Sequence, residues 1–434
     1  MKRLSLEKIY LAIVIVIFAG IVVHAPLSVG FGVLFPDAAL LIKSWKEILM
    51  LVLMPLAIII VSRRGLWREL ANDWIFRIIV AYAALHIILV ALMYQGVVAT
   101  VAGLAIDLRY VLFFGLVYII IRTMPHYRSL LLKVAGIGAA VVVGFATLQL
   151  VLPADILSSI GYGRDTIAPY LTVDKNPDYI RVNSTLRGPN PLGAYAGIVL
   201  ALIVAAVITK GRGFMCKYAV GLELLTVSSV IALWISYSRS ALVGAIVALG
   251  VVFAATIMRR LSHRSWIALS VIVCALIGGL VIGQNSSFVS NVLLHENPEG
   301  GSTISSNDDH VSSLQIGVDR LLNQPFGGGV GSTGSASLHG DSPIIIENQY
   351  LFIAHETGWL GLLLFLVLFG LVMHRLWRQR RDWLALGIFA SGISLALIGL
   401  LLPVWVDDTV AIIWWGLAAI AITKKEVYER PATK

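Results

Sequence analysis

The stretch Asn190-Pro-Leu-Gly-Ala-Tyr-Ala-Gly-Ile-Val-Leu-Ala-Leu-Ile-Val-Ala-Ala-Val-Ile-Thr209 contains no charged residue. A helix that crosses the hydrocarbon core of a bilayer needs about 20 mostly apolar residues, and this stretch meets that requirement. Arg187 precedes it and Lys210 follows it, so the nearest charges lie where a bilayer meets water. The stretch therefore predicts a transmembrane helix.

Similar apolar runs recur along the whole chain and predict about twelve transmembrane helices. They lie near residues 9–24, 44–62, 74–93, 106–121, 130–151, 190–209, 218–236, 240–258, 266–283, 349–373, 383–402 and 409–423. Of the 434 residues, 58% are hydrophobic and 13% are charged, and the mean hydropathy is +0.88. These values are outside the usual range of soluble globular proteins. We expect an all-α polytopic membrane protein with a single membrane domain over residues 1–434.

The basic residues predict the orientation of the chain. They cluster in alternate connections, at Arg63/Arg64/Arg68, Arg122/Arg128/Lys133, Lys210/Arg212/Lys217, Arg259/Arg260/Arg264, Arg375/Arg378/Arg380/Arg381 and Lys424/Lys425. The positive-inside rule places all these clusters, and both termini, in the cytoplasm. The net charge of +9 is then explained by topology, because the basic residues are dispersed rather than gathered on one nucleic-acid-binding face.

Two connections on the opposite side are too long to be simple linkers. The first covers residues 152–189, and the larger one covers 284–346, between the ninth and tenth predicted spans. Within the larger loop, Val311–Leu322 carries apolar residues at helical spacing and predicts a helix lying on the membrane surface. Long ordered loops usually carry function, so the candidate site residues are sought on this side.

The first long loop ends in Arg181-Val-Asn-Ser-Thr-Leu-Arg187-Gly-Pro-Asn190-Pro-Leu-Gly193. Gly-Pro-Asn-Pro predicts a tight non-helical turn, because proline fixes φ and disfavours the α region in the residue before it. The turn would hold two arginines at the membrane surface. Interfacial arginines that contact lipid phosphates are the alternative interpretation.

A second candidate is the short outer turn Ser236-Tyr-Ser-Arg239-Ser. An arginine near hydrocarbon is costly unless it is paired or reaches water, so Arg239 either snorkels or has a function. Asp107 and Arg109, at the outer end of the fourth predicted span, are interpreted as a local charge pair.

The third candidate begins with Pro325-Phe-Gly-Gly-Gly-Val-Gly and continues with Glu347-Asn348-Gln-Tyr350-Leu and His355-Glu356-Thr-Gly358-Trp-Leu-Gly361. Glycines allow close approach of a backbone to a ligand, but they are also common in ordinary turns. Glu347, at a predicted helix start, could accept a proton from a substrate hydroxyl or merely complement the helix dipole. For His355 and Glu356 a structural role is favoured. His310, His339, Asp308 and Asp309 lack the spacing of a metal site.

These motifs, in this order and on one side of the membrane, resemble the bacterial O-antigen ligase and polymerase superfamily. The resemblance covers residues 180–375 in sequence pattern and the whole chain in topology. It implies a GT-C-like membrane glycosyltransferase without a cofactor or metal, in the bacterial inner membrane, with a site facing the periplasm. Its substrates would be an undecaprenyl-diphosphate-linked oligosaccharide and a glycan or lipid acceptor; a chain-length regulator protein is a further expected partner.

The resemblance also implies roles for particular residues. Arg187 and Arg239 would bind the diphosphate leaving group, and Glu347 would be the base. Further substrate contacts are expected from Arg181, Asn190, Arg320, Asn348 and His310, and His310 is an alternative base. Ligases of the superfamily resemble a pattern with histidine at the position of Glu347, whereas repeat-unit polymerases often have an acidic residue there. The sequence therefore favours a polymerase over a ligase. A transporter is disfavoured because the predicted spans contain few polar residues beyond His86, Gln149 and Glu223.

Overall fold

A computed structural model describes residues 5–173, 176–256, 306–340 and 343–423. The helices are α1 (Leu6–Gly20), α2 (His24–Leu34), α3 (Ala39–Lys43), α4 (Trp45–Arg64), α5 (Trp67–Asn72), α6 (Trp74–Leu92), α7 (Val97–Thr123), α8 (Arg128–Leu148), α9 (Pro189–Lys217), α10 (Ala219–Ile235), α11 (Arg239–Thr256), α12 (Ser306–Asn323), α13 (Gly334–Ser337), α14 (Gln349–Arg378), α15 (Trp383–Ile398) and α16 (Asp408–Ile422). The strands β1 (Tyr170–Val173) and β2 (Asn176–Val182) pair as an antiparallel hairpin.

The helices explain how this apolar chain can exist in lipid. In a bilayer each backbone polar group must find its partner within the protein, and an α-helix satisfies these groups along its own length. Within the described residues, eight helical segments are long and apolar enough to cross a membrane, and α10, α15 and α16 are shorter apolar helices. The predicted class, an all-α polytopic membrane protein, is confirmed.

The individual spans compare with the prediction as follows. Eleven of the twelve predicted runs coincide with apolar helices of the structure, and the run 266–283 lies outside the described residues. The total number of spans, the orientation of the termini and the single-domain division stay predictions. The helix expected at Val311–Leu322 is confirmed as part of α12. The hairpin of β1 and β2, inside the loop 152–189, was not predicted.

The centre of the bundle is formed by α7, α9 and α16. In the most apolar 18-residue stretch of each helix, 67% of the residues are buried in α7 and 72% in α9. In α6 the share is 22%, which places α6 at the periphery. All residues of α16 are buried. Trp414 and Trp415 of α16 pack with Trp405 and Tyr110, with ring centroids 5.2–5.8 Å apart for Trp405, Trp414 and Trp415. Large apolar surfaces thus hold the central helices together.

One end of the bundle, here called the basic end, is tied by ion pairs between helices distant in sequence. Arg375 donates to both oxygens of Asp73 at 2.6 and 2.7 Å, although 302 positions separate the two residues. The further pairs are Arg122 with Glu69 at 2.7 Å, Arg128 with Asp382 at 3.3 Å and Arg64 with Glu7 at 2.8 Å. Arginines that the positive-inside rule explains therefore also join helices of the bundle.

The opposite end, here called the loop end, carries the hairpin of β1 and β2, helix α12, and the first residues of α9, α11, α14 and α16. Side-chain contacts between these segments, described below, bring them together although they are far apart in the chain. The predicted site residues with described side chains lie in these segments or in the few residues before α9 and α14.

Candidate active site

A hydrogen-bonded clamp joins two of the arginine-bearing segments at the loop end. Arg181, on β2, donates through Nε to the carbonyl of Ser236 at 2.9 Å and through Nη2 to Oδ1 of Asn190 at 2.6 Å. Ser236 is the C-cap of α10 and begins the turn after it, and Arg239 begins α11 three residues later. The planar guanidinium can make two such contacts at once. The clamp therefore holds the start of α9 beside the start of α11.

The start of α9 corrects one prediction. Residues Pro189, Asn190 and Pro191 form the first turn of α9, with Gly188 as an extended N-cap, and do not form a non-helical turn. A proline at the first helical position loses no hydrogen bond, because its missing N–H would have had no partner in the helix. A side chain at Gly193 would collide with Ser236 and Ala241, so glycine allows α9 to approach α11 closely.

Arg187 is exposed and lies at the edge of a cavity of about 420 Å³, here called the loop-end cavity. The pKa of Asp407, which precedes α16, is raised to about 6 because its carboxyl is removed from water and lies beside Asp408; Arg187 opposes this rise. Burial also raises the pKa of the Tyr162 hydroxyl, and Arg187 again opposes the rise. Arg187 thus lies within electrostatic range of Asp407, at the start of α16, and of Tyr162 in the first long loop.

The loop-end cavity contains a buried charged cluster. Lys46 Nζ lies 3.0 Å from Asp408 Oδ2 and 3.2 Å from Glu47 Oε2, and His24 Nε2 is 3.0 Å from the same Asp408 oxygen. Arg109 Nη1 lies 3.6 Å from Glu47 and 3.9 Å from Asp408. Lys46, Arg109 and Asp408 are each at most 5% exposed. Charges buried at this depth need partners, and each of them has one.

This cluster corrects the interpretation of Asp107 and Arg109 as a local pair. Arg109 pairs with Glu47 and Asp408, whereas Asp107 lies 3.5 Å from His86 on α6. Residues two apart on a helix point away from each other, so the two charges of α7 meet different neighbours.

The sequence analysis also named too few polar residues within the predicted spans. Charged residues within an apolar run, such as Lys46 and Arg109, were the signal that could have identified the cluster.

Glu347 directly precedes Asn348, the N-cap of α14, and its backbone is held in place by α12. Its backbone N–H donates to Ser313 Oγ at 2.9 Å. Asn348 caps α14 by accepting from the backbone N–H groups of Tyr350 and Leu351, and its side-chain amide donates to the carbonyl of Leu400 at 2.8 Å. The side-chain contacts of Asn348 therefore identify it as a helix cap. Glu347 is partly exposed beside this fixed backbone, and its Oε2 is buried.

The glycine-rich loop meets a break in α14 at Gly358. Gly358 has φ +68° and ψ −170°, which interrupts the helical hydrogen bonds. Gly328 and Gly329 donate their N–H groups to the carbonyls of His355 and Glu356 at 2.5 and 3.1 Å, and Trp359 donates to the carbonyl of Pro325 at 2.9 Å. These glycines therefore allow the backbone of the loop to approach the backbone of α14 closely.

His355 and Glu356 are buried, at 2% and 1% exposure. Glu356 accepts a hydrogen bond from the backbone N–H of Thr333 at 3.3 Å, which ties the end of the glycine-rich loop to α14. Arg320 of α12 lies within electrostatic range of His355. The structural role that the sequence favoured for His355 and Glu356 stays a prediction.

The structure thus brings some of the predicted residues together. Arg181 and Asn190 are in contact, and they hold the segments of Arg187 and Arg239 side by side. The convergence of Glu347 with these arginines stays a prediction. His310 lies outside the residues whose side chains the structure describes. Within the described residues, no group of three or more His, Cys, Asp or Glu side chains could hold a metal ion.

The fold and this charged end define a polytopic membrane protein with a polar site at one end of its bundle. Residues 224–366, about a third of the chain, match the model of the Wzy_C family, described as O-antigen ligase. This match confirms the resemblance to the O-antigen ligase and polymerase superfamily and supports a membrane glycan enzyme of that type. The matched segment includes Arg239, Arg320, Glu347 and Asn348. A search of curated proteins found no match.

Proposed function

We propose that the protein polymerises undecaprenyl-diphosphate-linked oligosaccharide repeat units by a metal-independent, inverting glycosyl transfer. The repeat units would be those of an O-antigen, a capsule or an exopolysaccharide. The enzyme would act in the bacterial inner membrane, with the loop end facing the periplasm and a chain-length regulator as a further partner. Transfer of a finished glycan to lipid A–core or another acceptor, by a ligase, is the alternative within the family.

The observation that carries the proposal is the clamp made by Arg181. Because it joins the starts of α9 and α11, the segments of Arg187 and Arg239 lie together at one end of the bundle. Two guanidinium groups can bind the oxygens of a diphosphate bidentately and stabilise its charge without a metal. In the proposal Arg181 and Asn190 position these segments, and Arg187 and Arg239 contact the substrate.

The reaction is a single displacement. The acceptor hydroxyl oxygen forms a bond to the anomeric carbon while the bond from that carbon to the diphosphate oxygen breaks and its electron pair stays on the diphosphate. Glu347 takes the proton of the hydroxyl. Attack opposite the leaving group inverts the anomeric centre. The backbone of Glu347 is fixed by Ser313, which limits the freedom of the base before the transition state.

The test is Glu347→Gln in purified protein in liposomes, with a lipid-diphosphate oligosaccharide and no added metal. The amide keeps the size of the side chain but cannot accept the proton, so transfer is expected to fall about 10²–10⁴-fold with substrate binding retained. The matched control is Asp319→Asn, the same change at an exposed position of α12, with transfer unchanged. Near-normal transfer by Glu347→Gln removes Glu347 from the mechanism.

The same assay separates the polymerase from the ligase. With the lipid-linked repeat unit as sole substrate, a polymerase lengthens the glycan on its carrier and yields a ladder of products. A ligase yields no ladder until a separate acceptor is added. Product formation that requires such an acceptor would replace the polymerase by the ligase, and strict dependence on a divalent metal would contradict the role given to the arginines.

A further inference from the structure

A second cavity, here called the basic-end cavity, lies in the part of the bundle nearest the basic end. Its volume is about 270 Å³, and its wall is formed by α8, α9, α10, α15 and α16. Among the described residues that line it none is charged, and most are aliphatic, such as Leu132, Leu225 and Leu417. An apolar wall of this kind is suited to an apolar ligand.

The cavity exists because α10 packs against the bundle along only part of its length. The buried residues of α10 are all in the half nearest the loop end, from Ser229 to Ile235. The other half contributes Leu222 and Leu225, which are half-buried, to the cavity wall. Gly136 of α8 also lines the cavity and is exposed, and a side chain added there would meet no atom within 4 Å. The cavity therefore opens beside Gly136 to the surroundings of the bundle, which in a membrane are hydrocarbon.

The cavity reaches the middle of the membrane from one side. On α8 its lining extends to Ala139, eleven residues from the start of the helix, and on α16 to Ile413, nine residues from the end. At 1.5 Å per residue these positions lie about 16 and 14 Å from the basic end, and Tyr195 of α9 lies about 22 Å from Lys210. The hydrocarbon core is about 30 Å thick. One acyl chain entering from the basic end fits this depth, whereas an α-helix, about 10 Å across, is too wide for the volume.

Basic residues predominate around the entrance of the cavity. Of the charged residues within four positions of a described lining residue, two are acidic and seven are basic. The acidic residues are Glu223 and Asp382, and Asp382 pairs with Arg128 at 3.3 Å. The basic residues are Arg128, Lys133, Lys210, Arg212, Lys217, Arg380 and Arg381. This excess of five positive charges complements an anionic group at the membrane surface.

Lys210 places one of these charges directly at the cavity wall. Its ammonium lies over two lining rings, 4.3 Å from the ring centroid of Phe214 and 4.2 Å from that of Trp383. Phe214 follows a break in α9 at Gly211, where φ is +74° and ψ is −169°. The attraction between a cation and an aromatic face holds the exposed ammonium at this position. A positive charge is thus fixed where the apolar cavity meets the basic end.

We infer that the basic-end cavity binds one acyl chain of an anionic phospholipid, with the phosphate of the headgroup against the basic residues at the entrance. Basic pockets between transmembrane helices bind anionic lipid headgroups in this way. The bound chain fills the space between α8 and α10 and supplies the packing contacts that α10 lacks at this end. The inference does not depend on the proposed reaction, whose substrate binds at the loop end.

The experiment fills the cavity and measures lipid binding. Gly136→Phe and Ala139→Leu add side chains to two lining positions of α8. The matched control is Gly144→Phe on the same helix, at a position that does not line the cavity and where an added side chain meets no atom within 4 Å. Delipidated protein in detergent is titrated with phosphatidylglycerol or with phosphatidylcholine of identical acyl chains, and bound lipid is counted by native mass spectrometry. Unfolding midpoints without lipid establish that each variant is folded.

Wild type and Gly144→Phe are expected to bind one phosphatidylglycerol with a Kd at least about tenfold below that for phosphatidylcholine. Both filled variants should lose this site, with a Kd for phosphatidylglycerol raised at least about tenfold. Phosphatidylglycerol should raise the unfolding midpoint of wild type and of the control, and not that of the filled variants.

The headgroup contact is tested by Lys210→Gln. Its Kd for phosphatidylglycerol should rise about fivefold, the usual contribution of one lysine near an anionic lipid surface, while its Kd for phosphatidylcholine stays within about twofold of wild type. Lys8→Gln, on α1, which does not line the cavity, is the matched control and should bind both lipids like wild type.

Three results would overturn the inference. Equal binding of the two phospholipids by wild type would show that the entrance does not recognise an anionic headgroup. Tight binding of phosphatidylglycerol by both filled variants would place the lipid elsewhere on the protein. Displacement of phosphatidylglycerol from wild type by an equal concentration of polyprenyl phosphate would assign the cavity to the chain of the glycan carrier.

Discussion

Replacement of Gly358 by alanine is expected to destabilise the protein strongly, because two separate features of the break in α14 exclude a side chain. The backbone at φ +68° and ψ −170° is a conformation adopted almost only by glycine, and such strain costs about 1–3 kcal/mol. An added Cβ would also lie 2.6 Å from the carbonyl carbon of Phe326 and would overlap the carbonyl oxygen of Pro325. Both neighbours are backbone atoms that cannot rotate away.

The magnitude follows from what must move. Displacing the glycine-rich loop breaks the hydrogen bond from Trp359 N to the carbonyl of Pro325, which is worth about 0.5–1.5 kcal/mol. Together with the backbone strain, Gly358→Ala should cost about 2–4 kcal/mol. The matched control is Gly370→Ala in the same helix, where no atom lies within 4 Å of the added methyl. Alanine is favoured there by about 0.5–1 kcal/mol.

The assay compares thermal unfolding midpoints of the two variants and of wild type in one detergent, measured at a single heating rate. Gly358→Ala should unfold at a clearly lower temperature than wild type, and Gly370→Ala at the same or a higher temperature. Equal midpoints for the two variants would refute the reasoning, because they would show that the loop and the helix break accommodate a side chain at no cost.

The remaining predictions concern the arginines and the topology. Arg187→Lys and Arg239→Lys should each lose most transfer with membrane insertion unchanged, because an ammonium cannot reproduce the planar two-pronged contact with a diphosphate; glycan chain lengths like those of wild type would return these residues to lipid anchoring. Reporter fusions near Arg64 and Arg128 should report the cytoplasm and a fusion at Asn307 the outside, and a cytoplasmic signal at Asn307 would contradict the functional proposal.

Much of the fold could be predicted because a bilayer imposes one simple requirement. A run such as 190–209 must form a helix if it is to cross hydrocarbon, and neither its neighbours nor its final packing changes that result. The first turn of α9 was predicted wrongly because a rule for the helix interior was applied to a helix start. Proline breaks a helix in its interior, whereas Pro189 and Pro191 lie where the N–H groups have no helical partner.

The candidate site was less predictable because its contacts join distant parts of the chain. The pairing of His24 and Lys46 with Asp408 spans more than 360 positions, and each residue taken alone resembles an ordinary charge at the end of a span. The motif around Arg181 was found from its residues, but its role as a clamp depends on Ser236, a carbonyl that no side-chain pattern can reveal. Contacts between residues so far apart in the chain are determined by how the helices pack in the folded protein.

The junction between the glycine-rich loop and α14 restricts where the chain can change in length. The carbonyls of His355 and Glu356 depend on the N–H groups of two consecutive residues, Gly328 and Gly329. One inserted or deleted residue in this stretch would shift the register and leave buried carbonyl groups without donors. Natural insertions and engineered tags in the large loop should therefore not be tolerated between Pro325 and Thr333.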